Sequence, residues 1–249
     1  FVVDISSPDA EVRFDPKPFS PDSDGFEDRL NFTILAQDDS DIASWNLAIF
    51  DTKGNVFKEY GGPGAPRRNF FWNGYSSSNE LVLAAEDYPY EFVVEDVLGN
   101  STRLTGSIPI DVLVIREGDR LKIRISNITF EPNSPTLETS DSEVMEKNNW
   151  VLERISEIFK KYASYFIRIE GHAVSVYWEN AERAAIEQAD ELVPLSRERA
   201  QTVRDVLVKY GIDPERIQVE GIGGAQPIVP HSDLDNRWKN RRVEFILLK

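Results

Sequence analysis

The residues best placed to do chemistry are the cations of the stretch Phe166 to Ala200 and of its echo at Asn240 to Val243. What they suit is holding an anion. Arg199 stands one turn into a segment that opens at Ser196. That segment reads as a helix, because Ser196 is a good cap and Ala200, Val203 and Leu207 recur at helical spacing. A helix N-terminus offers free N–H groups and a positive dipole end, and a cation one turn in adds to both. Arg237, Lys239, Arg241 and Arg242 form a second basic cluster. It is either an anion site or a solvated loop and strand edge.

Catalysis has thinner support. There are two histidines, His172 and His231. Ser175, His172 and Glu170 contain the types of a nucleophile, base and acid, yet they crowd one loop with no strand-turn-helix elbow around the serine. A metal centre would need His172, His231, Asp233 and Asp235 to converge, and their spacing does not demand it. Asp22, Asp24, Glu27 and Asp28 around Gly25 raise calcium, but Ser20 and Asn31 stand where a calcium loop needs its first and closing acids. Asx turns explain the same residues without metal. The expectation is no enzyme, no cofactor and no metal, with Asp22, Asp24 and Asp28 as a weak calcium candidate.

These residues need elements to position them. A strand at Phe166–Glu170 stops at Gly171, so the loop from His172 onward leaves a strand tip. The insert ENAERAAIEQADE favours helix by composition, and the helix Ser196–Tyr210 ends at Gly211. Upstream, a strand at Leu121–Phe130 precedes a helix from Ser142 to Tyr162, with Val151, Ile155, Ile158, Phe159 and Tyr162 on one stripe. Strands at Arg216–Glu220 and Arg242–Leu248 complete a β-α-β-α-β-β order, with both long helices on one face of the sheet.

Five pieces carry a family resemblance: ITFEPNSPTL at 128–137, IEGH at 169–172, LSRERAQTVRDVL at 195–207, KYGID with RIQVEGIGGAQPIVP at 209–230, and NRRVEF at 240–245. The C-terminal half resembles the OmpA-like domain, a periplasmic module that grips the peptide stem of peptidoglycan. The resemblance implies the same fold. It also implies that His172, Arg199, Asn240 and Arg241 occupy ligand-binding positions. In the family an aspartate pairs with the ammonium of the stem peptide's diamino acid, while the arginine holds its carboxylate, assisted by backbone N–H groups. After Gly-His the family has Thr-Asp, whereas this chain has Ala173-Val174, and the family's asparagine falls on Leu192. Valine accepts no hydrogen bond, and losing one charged contact costs roughly 1.5–3 kcal/mol. Three such replacements around one pocket predict that this binding chemistry is lost. The alternative is weak or altered binding through Arg199, which otherwise pairs with an acid such as Glu170 or one in the insert. Tyr177 and Trp178 read as local packing before a sugar platform.

The first half reads as all-β, with strands at Val12–Phe14, Leu30–Leu35, Trp45–Phe50, Phe70–Trp72, Tyr90–Glu95 and Ser107–Val112. Asp51 to Gly54, Asn73-Gly74 and Gly99-Asn100 are turn signals. FSPDSDGFED, FWNG and YPYEFVVEDVLGN resemble the immunoglobulin-like module of bacterial surface and flagellar-hook-capping proteins. The expected architecture is therefore an immunoglobulin-like β-sandwich over 1–112, a structured linker at 113–123, and an OmpA-like domain at 124–249 with an insert near 176–191. VLVIREGDRLKIRI, at the junction, reads as two short strands around a Glu-Gly-Asp turn.

Composition bounds the rest. The chain has 249 residues, 41% of them hydrophobic, which is enough for packed cores. A formal net charge of -15 argues against nucleic acid. The absence of cysteine removes disulfides and thiolate metal sites. No apolar run is long enough to span a membrane. FVVDISS is too short and too acidic for a secretory signal, so an anchor upstream is left open. The expected role is a structural or interaction part of the cell envelope, in the periplasm. Its partners would be an unidentified envelope protein and, weakly or not at all, peptidoglycan. A calcium-dependent surface adhesion module is the reading from another class.

Overall fold

The computed structural model describes residues 4–249, so Phe1, Val2 and Val3, which open the FVVDISS segment, lie outside the described residues. The chain divides into two compact units, Phe1–Asp111 and Val112–Lys249.

The first unit contains β1 (Asp9–Asp15), β2 (Leu30–Gln37), β3 (Ile42–Phe50), β4 (Val56–Pro63), β5 (Asn69–Trp72), β6 (Asp87–Asp96) and β7 (Ser101–Pro109). They form two sheets, in the orders β1-β2-β5 and β4-β3-β6-β7. The pairings are antiparallel, which short turns permit. Aromatic rings join the sheets: Trp72 of β5 meets Phe57 of β4 and Tyr88 of β6, and Phe70 of β5 meets Trp45 of β3 and Tyr60 of β4. Trp72 and Tyr88 are fully buried. Their polar ends are satisfied, since the Trp72 indole N–H donates to Tyr75 O and the Tyr88 hydroxyl accepts from Leu83 N–H. Gly74, at φ +78°, packs under Pro21 so closely that a Cβ would come within 2.5 Å of it.

Two strand expectations move here. The strand expected at Ser107–Val112 begins at Ser101 and ends at Pro109. It pairs with β6 directly after the Gly99 turn, so the hairpin fixes its start. β4 was not expected, because its Gly61-Gly62-Pro63 end hides the alternation.

The second unit is built on one sheet with β8 (Ile115–Glu117), β9 (Arg120–Ile125), β10 (Phe166–His172), β11 (Ile217–Gly223) and β12 (Val243–Leu248), ordered β11-β10-β12-β9-β8. β10 and β11 are parallel, and the other pairs are antiparallel. β9 stops at Ile125, well short of the expected Phe130, which instead bridges Leu137 in a separate loop. Asn148 fastens that loop by accepting from Thr129 N–H and donating to Thr129 O.

Helix α1 (Ser142–Lys161) is capped by Asp141, whose side chain accepts from Glu143 N–H and Val144 N–H. Its buried stripe includes Val151, Leu152, Ile155 and Phe159, and Phe159 packs on Phe245 of β12. A second helical rod runs from α2 (Ala181–Glu187) through a π turn (Gln188–Leu192) into α3 (Val193–Lys209). α3 lies so close to the sheet that a Cβ on Gly171 would fall 2.0 Å from Ser196 O. Gly171 and Phe245 share a sheet face by register, so both helices cover one side.

The continuous rod corrects the expected helix start. Ser196 is not an N-cap but an interior residue of α3, and Asn180 caps the rod through Arg183 N–H. The expected start rested on Ser196 as a good cap, while Pro194, two residues earlier, lacks an N–H for the ladder. The chain widens the preceding turn instead, with Val193 N–H bonding Gln188 O, and stays helical through the proline. The free N–H groups expected near Arg199 are therefore spent inside the helix.

Candidate functional site

Arg199 sits on α3, half-buried. Its Nε–H donates to Ser134 O at 3.0 Å, and its guanidinium lies 5.0 Å from the centroid of Phe130. The loop that Asn148 fastens thus supplies both supports. Among the described residues no carboxylate lies within ion-pair distance of Arg199. Burial pushes its pKa down, and neighbouring Arg241, which is exposed, pushes it the same way. The pairing of Arg199 with Glu170 does not occur, for a geometric reason. Glu170 alternates with Ile169 and Gly171, so it points to the sheet face away from α3.

On that far face Glu170 meets Arg168 at 2.9 Å, and Glu244 meets Arg242 at 2.7 Å, Arg124 at 2.8 Å and Lys122 at 3.1 Å. His172 Nε2 lies 3.6 Å from Glu170 and 4.0 Å from Glu244. Burial pushes the Glu244 carboxyl up, but Arg242 and Arg124 outweigh it and hold the group down at about 2. Glu170, His172 and Glu244 are a grouping with metal-ligand atoms, yet cations already take the carboxylates. Arg242 therefore belongs to a buried charge-paired layer, which splits the expected basic cluster; only Arg241 of that pair faces Arg199.

The loop after β10 lies on the helix side. Ala173 is buried and its N–H donates to Gly223 O at 2.8 Å. Val174 is half-buried. Leu192, the last residue of the π turn, is buried against Gly224, where a Cβ would meet Leu192 Cδ1 at 3.3 Å and Ser175 N at 3.3 Å. Of the three positions expected to carry the family's polar groups, Ala173 and Leu192 are thus buried and Val174 is half-buried. Asn240 is fully buried, accepting from Ile228 and Val229 N–H and donating to Val229 O, so its amide holds the loop before β12. His172 N–H donates to Arg242 O, which ties the end of β10 to the residue just before β12.

The catalytic grouping is not assembled. Ser175 Oγ donates to Glu187 at 2.7 Å, while His172 faces the opposite side of the sheet. His231 bonds Gly224 O and joins no metal-ligand grouping among the described residues. Asp22, Asp24 and Asp28 do come together, with carboxylate oxygens within 4.8 Å of one another. Asp28 accepts from Ser23 and Gly25 N–H, and Asp24 from Phe26 N–H, as Asx-type turns do. Tyr177 and Trp178, read as packing, remain 45% and 37% exposed. The residues the sequence reading missed are Glu187 and Gln188. Glu187 is 4% exposed, although it sits in a polar helix where nothing in the local pattern marks it as buried.

Residues 129–241 match the OmpA family. The chain is 29% identical over 159 residues to the Probable lipoprotein YiaD of Escherichia coli, a match spanning 64% of this chain and 63% of that protein. It is 31% identical over 97 residues to the Peptidoglycan-binding protein ArfA of Mycobacterium tuberculosis, spanning 39% of this chain and 27% of that one. The chain therefore spans less than two thirds of either relative. The crystal structure of the periplasmic domain of Helicobacter pylori MotB aligns at 24% identity with a TM-score of 0.44, covering 55% of this chain and 78% of that one. No helix among the described residues is long and apolar enough to cross a membrane. With the five motifs, the α/β sheet and the family match falling on the same residues, the second unit carries a domain of the OmpA family.

Proposed function

We propose that this chain is a non-enzymatic structural part of the bacterial cell envelope, in the periplasm. An immunoglobulin-like β-sandwich carries the OmpA-type domain. That domain holds a carboxylate of a cell-wall peptide through Arg199 and Arg241, without an acid at Val174 to grip the ligand's ammonium. The family match and the relatives named for lipoprotein and peptidoglycan-binding roles support the envelope setting.

One observation carries the reading of the site: Arg199 is half-buried, braced on Phe130 and Ser134 O, and has no carboxylate partner among the described residues. A cation kept partly out of water without a counter-ion is costly, and an external anion relieves that cost. Arg241 adds a second positive charge on the same side. Charge-assisted hydrogen bonds to a carboxylate then supply most of the affinity.

The test is a titration of the chain with a diaminopimelate-containing stem peptide. Wild type should bind, Arg199→Ala should bind at least about tenfold more weakly, and Arg199→Lys should recover part of the loss without the planar fork. Equal binding by wild type and Arg199→Ala contradicts the reading. No binding by wild type returns the site to the lost-grip expectation.

A further inference from the structure

The insert has a structural occupation that points to its use. Glu187, the last residue of α2, sends a buried carboxylate back to the loop after β10. It accepts from Ser175 Oγ–H at 2.7 Å, from Val176 N–H at 2.9 Å and from Tyr177 N–H at 3.3 Å. No cation among the described residues lies within ion-pair distance of it. Its neighbour Gln188 serves the loop after β11, where Nε2–H donates to Ile222 O at 2.7 Å and Oε1 accepts from Gly224 N–H at 2.8 Å. Gly223, at φ +59°, makes room for this amide; a Cβ there would stand 2.6 Å from Gln188 Oε1. The two loops are also joined directly, by Ala173 N–H to Gly223 O, and Ser196 Oγ accepts from Gly223 N–H at 3.0 Å.

The π turn explains how one rod does both jobs. An extra residue in a turn rotates everything before it by about 100° relative to an uninterrupted α-helix. Glu187 and Gln188 can then face the loops while Ser196 and Arg199 keep their places on α3. A buried carboxylate held only by hydrogen bonds is an expensive way to fill space, since an apolar side chain would pack at lower cost. What it supplies is direction, through three donors converging from one loop.

We propose that Glu187 and Gln188 are positioning residues for ligand binding: they fix the loop Ala173–Tyr177 against the helix bearing Arg199 before any ligand arrives. Preset loops spare the ligand the entropy of ordering them. This rests on Arg199 being the carboxylate holder.

The experiment uses the full chain and the diaminopimelate-containing stem peptide. In Glu187→Ala the amides of Val176 and Tyr177 should exchange at least about tenfold faster, and the peptide should bind about tenfold more weakly. Added formate, a carboxylate small enough for the vacated place, should restore protection of those two amides. Glu187→Gln keeps one acceptor oxygen and should lose less, which covers the case in which the alanine variant does not fold. A wild type that binds, with Glu187→Ala and Gln188→Ala binding equally well, overturns the positioning role alone. A wild type that does not bind overturns the reading of Arg199, and the positioning role with it.

Discussion

At the scale of single residues, the proposed site turns on what Val174 cannot offer: a side chain that accepts a hydrogen bond. A charged contact is worth roughly 1.5–3 kcal/mol, so Ala173→Thr with Val174→Asp should tighten binding of an amine-bearing stem peptide about tenfold or more. Isothermal titration of the double variant checks this, and an unchanged affinity would mean that the loop does not face the ligand's amine. The buried layer on the opposite face gives a pH prediction. The folded Glu244 carboxyl is held at about 2, below its ordinary 4.5, so its contribution is fully present above that ordinary value. It should fade as pH falls from about 4.5 through about 2, seen as a falling melting temperature. Glu244→Gln should flatten that acid limb, while lowering stability near neutral pH by about 3–5 kcal/mol because Arg242 is left buried without its partner.

At the scale of elements, close approach and long-range capping hold the second unit together. Gly171→Ala would drive a methyl into Ser196 O, a backbone atom that cannot swing away, so α3 must lift from β10. A loss of more than about 2 kcal/mol in denaturant melts is expected. Arg216 gathers the free carbonyls where α1 ends, donating to Tyr162 O at 2.8 Å and Tyr165 O at 2.8 Å. Arg216→Ala should cost about 1.5–3 kcal/mol and speed amide exchange in the last turn of α1. These elements were largely legible in the sequence, because apolar stripes such as Val151, Ile155 and Phe159 encode a helix face directly. The start of the rod was not, since Ser196 is a good cap by local rules and the π turn that carries the helix past it forms only in three dimensions. Arg199 stood out as a cation one turn into a helix, and Val174 only through the family resemblance, which puts an aspartate at its position. Glu187 did not, because its partners come from a loop about ten residues back and its burial depends on packing that no periodicity records.

At the scale of the whole molecule, the net charge of -15 sets the background against which Arg199 and Arg241 work. Long-range repulsion of anions is screened within about 8 Å at physiological salt, so a local basic pair can still select a carboxylate at contact. Each of the two units has its own buried core. Calorimetry should therefore resolve two transitions, and a bound stem peptide should raise the one that belongs to residues 112–249 by mass action. Chelating calcium should leave both unchanged, since backbone N–H groups already engage Asp24 and Asp28. The most direct measurement of the central claim compares two ligands: the diaminopimelate-containing stem peptide and the same peptide with that residue's side-chain amine acetylated. With Arg199 and Arg241 holding the carboxylate and valine facing the amine, the two should bind within about threefold of each other. Loss of binding on acetylation would show an acid gripping the ammonium from elsewhere in the chain, and would contradict the account.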